Sequence, residues 1–341
     1  MNNASTGQRG RRWLIPLRIA GVILGWIVLL GTIGWGTLAI YYSNLPGGVR
    51  AAAAVLFAIV AAAGLVLVRP RRRAVLAYLV FFGALVAWWL AIPPSNDRDW
   101  QPDVAVLPYA VIEGDRVTIH HIRNADYRTE TDYAVRHYDA TFDLNKLQSA
   151  DAYLVYWGSP MIAHTMMSFG FGDGRYVCIS IETRKRKGQE YSAVKGFFKQ
   201  YTLTYIVADE RDVVRLRTNY RHEDVYLFRL KAPRDFIRKV FLDYLKEVNS
   251  LQERPEWYNA LTSNCTTDIR SHMAPYNPNA HWDWRIIVNG YIDEHLYEQG
   301  AIDRSLPLAK LKKRSYINPT ANAADNAADF STRIRAGLPG F

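Results

Sequence analysis

Apolar positions fall into two regimes along the chain. Up to residue 92 they form long unbroken runs, at 19–42, 51–68 and 74–92. At 1.5 Å of rise per residue these runs reach about 36, 27 and 28 Å as helices, against roughly 30 Å of bilayer hydrocarbon. They predict three transmembrane helices, the last closed by Pro93 and Pro94. A cleaved signal peptide is the competing reading of the first run, but the run exceeds a signal's apolar region and two more spans follow it. Trp88 and Trp89, near the end of the third run, suit either an interfacial anchor or packing. From residue 97 the pattern changes to short alternating segments and stretches of helical period, without repeats, which is an α+β signature. The expected organisation is a membrane part over 1–95, an α+β domain over 96–318 and a tail over 319–341.

Within the α+β domain, residues 104–122 read as a hairpin turning at Glu113-Gly114-Asp115, and 133–144 and 152–157 as further strands. Residues 162–171 and 175–183 flank Gly172-Asp173-Gly174, a hairpin loop with two glycines free to take positive φ. Pro233-Arg234-Asp235 opens a helix whose apolar residues, from Phe236 to Val248, mark one buried face. In the stretch 257–273, Asn264 is a credible N-cap and Cys265 the first helical residue. The tail after Pro319 is small and polar and reads as a loop, with docking of 330–341 left open.

Charge adds an orientation. The chain carries 42 Lys+Arg against 32 Asp+Glu, a formal +10. Nine arginines and no acidic residue lie in 1–95, so the remainder holds 33 basic against 32 acidic groups. The basic excess belongs to the membrane end, and the folded part offers no positive field for nucleic acid. Arg9, Arg11 and Arg12 precede the first span, and Arg69, Arg71, Arg72 and Arg73 lie between the second and third. Arginine-rich short loops stay cytoplasmic, so three crossings deliver the chain after Pro94 to the outer side.

Candidate chemistry centres on Cys265. A thiol at a helix start meets unpaired N–H groups and the positive end of the helix dipole, which favour thiolate. The plain alternative is a small buried residue. His272 is too far along the same helix, at about 10.5 Å of rise, to serve as its base. His164, in an otherwise apolar strand, is the better candidate, against the alternative of a satisfied core histidine. A three-residue loop at 172–174 makes paired positions sum to 346, which sets Glu182 opposite His164. Glu182 would then hold one imidazole nitrogen and leave the other for Cys265; a loop one residue different turns Glu182 away, towards Arg184. Asn264 is a candidate helper at an oxyanion, beside backbone N–H groups. A Cys178–Cys265 disulfide is a rival that excludes the dyad, because Cys178 lies four strand residues, about 13 Å, from Glu182. A zinc site from Cys265, Asp268 and His272 is weaker still, its ligands spread over two turns.

Several segments carry a family resemblance: 163–171 (AHTMMSFGF), 180–184 (SIETR), 190–198 (EYSAVKGFF), 208–212 (ADERD), 257–267 (WYNALTSNCTT) and Gly300. Together they resemble the periplasmic domain named after the N-terminal part of Lnb, a lipoprotein N-acyl transferase, over about residues 100–315. The resemblance implies a circularly permuted papain-like (NlpC-like) domain in which His164 and Cys265 run thioester chemistry on lipid acyl groups, with Glu182 as a motif residue. It implies a membrane lipid or lipoprotein substrate, a periplasmic domain held at the inner membrane, and neither cofactor nor metal. The function expected is therefore a thiol acyltransferase or acyl hydrolase. The alternatives are a papain-like cell-wall peptidase or amidase, and a non-catalytic anchored module.

Overall fold

The computed structural model describes residues 6–277 and 280–341, with side chains from residue 16 onward apart from 278 and 279. Arg9, Arg11 and Arg12, which contribute to the orientation reading, lie outside the described side chains. The chain divides into two compact units, one of Met1–Pro93 with Phe198–Gln200, the other of Pro94–Phe197 with Tyr201–Phe341.

The first unit contains helices α1 (Thr6–Tyr41), α2 (Gly47–Leu67) and α3 (Arg71–Leu90). Three stretches, Pro16–Tyr41, Gly47–Leu67 and Arg71–Leu90, are long and apolar enough to cross a membrane. Their shared core is small, built from Ile40, Ala54, Phe57, Ala61, Leu65 and Tyr78. Most other apolar side chains, such as Leu24, Ile59 and Val80, are exposed, as lipid-facing residues are. A Cβ at Gly36 would lie 2.7 Å from the Phe57 ring, so glycine permits α1 to approach α2 closely.

The second unit is built on strands β1 (Tyr109–Glu113), β2 (Arg116–Arg123), β3 (Asp126–Tyr127), β4 (Tyr133–Ala134), β5 (His137–Asp143), β6 (Leu147–Tyr156), β7 (Ala163–Phe171), β8 (Tyr176–Arg184), β9 (Thr202–Ala208) and β10 (Asp224–Arg229). Eight of them form one sheet in the order β1-β2-β9-β8-β7-β6-β10, with β5 also pairing β2. Neighbours are antiparallel except β2 and β9, which touch in parallel at Arg123 and Ala208. The helices are α4 (Ala193–Gly196), α5 (Glu210–Arg215), α6 (Arg234–Glu253), α7 (Cys265–Met273), α8 (Ile292–Glu298), α9 (Leu308–Arg314), α10 (Asn318–Ala324) and α11 (Phe330–Arg333).

Both faces of the sheet are covered, and the side chains separate accordingly. Odd positions of β7 and β8, such as Met167, Phe169, Val177 and Ile179, share a core with α6 and α7. Even positions, Met166 and Cys178, share a second core with Val213, Ala321, Phe330 and Ile334. Burial on both faces explains why β9 (TLTYIVA) is apolar almost throughout rather than alternating.

The small, polar stretch after Pro319 is helical rather than the expected loop, and residues 330–341 dock, the possibility left open above. α10 and α11 close the second core, with Ala321, Phe330 and Ile334 fully buried. Arg335 is buried as well, pairing with Asp151 (2.9 Å) and Glu210 (2.6 Å), neither of which has any exposed side-chain surface. The alanine-rich stretch lacks a long apolar period but supplies small side chains that pack closely.

Candidate functional site

The β7–β8 hairpin turns as the three-residue loop requires. Gly170 pairs Tyr176, Phe169 pairs Val177 and Met166 pairs Ser180, each summing to 346. The ladder stops at Met166–Ser180, two residues before His164 would meet Glu182. His164, Ser180 and Glu182 share the even-numbered face, and at this unpaired end their side chains join. His164 Nε2 lies 2.8 Å from Ser180 Oγ and 3.2 Å from Glu182 Oε1. Ser180 Oγ donates to Glu182 Oε1 at 2.7 Å, so it accepts the Nε2 proton of His164. That arrangement fixes the tautomer and leaves Nδ1 for another partner.

Cys265 supplies that partner from the start of α7. Asn264 caps the helix: its Oδ1 accepts from the N–H groups of Thr266 (3.0 Å) and Thr267 (3.1 Å), while Thr267 Oγ1 accepts from the Asn264 N–H. The cap uses the N–H groups that follow Cys265 and leaves the N–H of Cys265 itself directed out of the helix start. The thiol lies near enough to the His164 imidazole for each group to shift the other's protonation, and its sulfur is also 3.8 Å from Thr266 Oγ1. Burial works against the thiolate, yet the His164 imidazolium and hydrogen bonding to the sulfur outweigh it and hold the Cys265 pKa below its ordinary value. Burial and nearby Arg217 oppose protonation of His164, but Glu182 and Cys265 raise its pKa to about 9. The favoured pair is thiolate and imidazolium.

Several residues here carried no signal in the chain pattern. Arg217 sits in a π-helical turn, Leu216–Tyr220, directly after α5. Its Nη2 donates to Glu182 Oε1 at 2.8 Å and its Nη1 to Glu223 Oε2 at 3.0 Å. Burial alone would favour the protonated acid, but His164 and Arg217 hold Glu182 well below the usual carboxylate range. Asn289 is the second such residue. Its Oδ1 accepts from Ala163 N at 2.9 Å, which orients the amide so that Nδ2 faces Thr266 Oγ1 (2.7 Å) and Cys265 Sγ (3.8 Å). The close approach that places it depends on Gly290, where a Cβ would lie 2.1 Å from Pro160 O.

Asn264, expected beside an oxyanion, serves in the structure as the cap of α7. Both ends of its amide are engaged, Oδ1 by the cap and Nδ2 by Ala260 O at 2.9 Å, whereas Asn289 turns a donor towards the sulfur. Arg184 is not the partner of Glu182; it donates to the carbonyls of Val104 and Ala105, both at 2.8 Å, and lies over the Trp100 ring. Cys178 and Cys265 are both free thiols, in cores on opposite faces of the sheet. His272 turns to Asp243 (2.9 Å) and Tyr205 (2.8 Å), away from any ligand set with Cys265. Among the described residues, no group of three or more His, Cys, Asp or Glu is arranged to hold a metal ion.

Cys265, His164, Glu182, Arg217 and Asn289 line one cavity of about 400 Å³. Its remaining wall mixes apolar and aromatic side chains, among them Trp157, Ile162, Leu261, Ile287 and Tyr258, with the charged groups of Asp103, Arg123, Lys185, Arg221 and Glu223.

Comparison with known proteins places the same residues in a family context. Residues 134–290 match the family described as the Lnb N-terminal periplasmic domain. This span is narrower than the resemblance drawn from the motifs alone, but it contains His164, Glu182, Arg217, Asn264, Cys265 and Asn289. No curated protein and no solved structure matches the chain. The chain thus combines three apolar helices of membrane-spanning length with a domain that resembles a periplasmic family, as a membrane-anchored periplasmic module does.

Proposed function

We propose that this chain is a thiol acyltransferase or acyl hydrolase acting on lipid or lipoprotein acyl groups at the inner membrane, in a domain of circularly permuted papain-like type. The observation that carries the reading is the thiol of Cys265 electrostatically coupled to His164, whose imidazole is hydrogen-bonded through Ser180 to Glu182, at a cavity with apolar side chains in its wall. The apolar side chains Trp157, Ile162, Leu261 and Ile287 offer an acyl chain a surface that asks for no hydrogen bonds.

His164 already holds the thiol proton in the favoured ion pair, and the thiolate sulfur of Cys265 adds to the carbonyl carbon of an acyl ester. Charge moves to the carbonyl oxygen, where the Cys265 N–H and Asn289 Nδ2 are the donors within reach. Collapse of this adduct breaks the carbon–oxygen bond; the departing alkoxide takes the proton from His164, and a thioester remains on Cys265. An amine or water then attacks the thioester, His164 accepts the attacker's proton, and the sulfur leaves as thiolate. Access of the acceptor decides between transfer and hydrolysis. Glu182 stabilises the imidazolium, and Arg217 keeps Glu182 ionised.

The test is intact mass after incubating the full-length protein with phospholipid vesicles or a soluble acyl ester. An acyl adduct on Cys265 is expected in the native protein. Cys265→Ser and His164→Ala are expected to abolish acyl turnover without loss of folding. Asn289→Ala should slow acylation about 10²–10³-fold. Labelling of the thiol by iodoacetamide, which forms no oxyanion, should persist in that variant. Full acyl turnover by Cys265→Ala would eliminate the enzyme reading.

A further inference from the structure

Around the mouth of the cavity the usual polarity of a protein surface is inverted. Two stretches build this rim, the β6–β7 connection at 157–162 and residues 281–288 before α8. Trp157, Met161 and Ile162 are exposed in the first, and Trp282 (68 % exposed), Trp284 (51 %) and Ile287 in the second. Charged groups of the second stretch turn inward and pair with one another. Asp283 meets Arg285 at 2.9 Å and His295 at 3.3 Å, and Arg285, itself buried, reaches Glu298 at 2.7 Å.

The rim is preformed. Gly290 N donates to Met161 O at 2.9 Å, and Tyr156 Oη donates to Gly290 O at 2.7 Å, which fastens the second stretch to the first. Trp157, Ile162 and Ile287 then continue from the rim into the cavity wall that holds Cys265.

We infer that this rim inserts into the bilayer crossed by the chain's own helices, and that it passes acyl chains from the lipid directly into the cavity. The second half of this statement rests on the acyl-transfer reading; the first half does not. A bilayer is the occupant the chain always has at hand, because α3 ends at Leu90 and the second unit begins at Pro94. Tryptophan favours the boundary between headgroups and acyl chains. Lipid tails ask for no hydrogen bonds, and a rim whose charges are already paired internally offers few. Contiguous exposed apolar surface continuous with a reactive cavity is what an enzyme drawing substrate from a membrane requires.

The experiment uses full-length Cys265→Ala protein, which cannot turn lipid over, in vesicles of phosphatidylethanolamine and phosphatidylglycerol carrying a diazirine on the acyl chain. After irradiation, adducts are mapped by mass spectrometry. Adducts at 157–162 and 282–288, in addition to those in the apolar helices, are the expected result. Met161→Asp with Trp282→Asp, neither of which lines the cavity, should reduce the rim adducts by about tenfold or more, given what withdrawing an apolar side chain from lipid costs. Placed in the otherwise native sequence, the same pair should slow acylation of Cys265 by vesicle lipid while leaving acylation by a soluble ester within about twofold. Adducts confined to the apolar helices would overturn the inference. So would protein–protein adducts at the rim, which would assign it to a second copy. Labelled rims in a native protein that neither lipid nor soluble ester acylates would sink the acyl-transfer reading and leave the membrane contact standing.

Discussion

At the scale of single residues, the site is defined by which groups hold their protons. His164 is raised to about 9 although burial and Arg217 push the other way, because Glu182 and Cys265 favour the imidazolium. Its folded pKa lies above the ordinary imidazole value of 6.5. Its charge pairing therefore stabilises the fold fully below the unfolded value, and that contribution is lost as pH rises through about 9. Cys265 shifts in the opposite direction, so the thiolate–imidazolium pair persists from its lowered pKa up to the raised pKa of His164. Acyl turnover should accordingly decline above about pH 9, where the imidazolium that protonates the leaving group disappears. Glu182→Gln removes a group that raises His164 and should move this alkaline limb to lower pH, with a smaller loss of turnover than His164→Ala. The check is a pH–rate profile of both proteins, and an alkaline limb that stays in place in Glu182→Gln would remove Glu182 from the proton-holding chain.

At the scale of elements, local chemistry determined what could be read from the chain. The loop at 172–174 sets a register, and one arithmetic step then brings Glu182 to the face of His164; the structure has that register. Asn264 announces the start of α7 because a cap needs only its own helix, and α6 shows its buried face through period alone. Arg217 and Asn289 were not legible, since each reaches the site through contacts far away in sequence: Arg217 by a π-turn after α5, Asn289 by the approach of Gly290 to Pro160. Asn264 is placed by its own helix, where it caps α7 and gives one amide N–H to Ala260 O. Helix α10 reads as a loop in the sequence because Ala321 and Ala324 acquire meaning only against the second core, while docking of 330–341 stays open there. Arg335, just after α11, gives this a measurable consequence. Asp151 and Glu210 have no exposed side-chain surface, and Arg335 bonds to both, along with an inward contact from Arg229 to Asp151. Arg335→Met would leave Glu210 without its cation and should destabilise the second unit by about 3–5 kcal/mol. Thermal or denaturant unfolding of the full-length variant measures this, and an unchanged midpoint would show that Arg335 contributes nothing net.

At the scale of the whole molecule, the distribution of charge relates the chemistry to a side of the membrane. The nine basic residues before residue 96 are unopposed by any carboxylate, and eight of them lie before the first apolar run or between the second and third. The connection between α1 and α2, residues 42–46, carries no charge at all. Cytoplasmic retention of arginine-rich loops predicts one consistent orientation: N-terminus inside, residues 42–46 outside, residues 68–70 inside, and Pro94 onward outside. The alternative orientation would require both arginine clusters to cross the membrane and would put the cavity in the cytoplasm, away from the acceptor proposed above. Fusions at Asp97 to a reporter active only after export should therefore be active, and a reporter active only in the cytoplasm should be silent there. Replacing Arg69, Arg71, Arg72 and Arg73 with neutral residues while adding arginines at 43–45 should weaken or invert that pattern, because it removes the asymmetry without altering the apolar lengths. Activity of the cytoplasmic reporter at Asp97 in the native sequence would overturn the orientation, and with it any acceptor on the outer side.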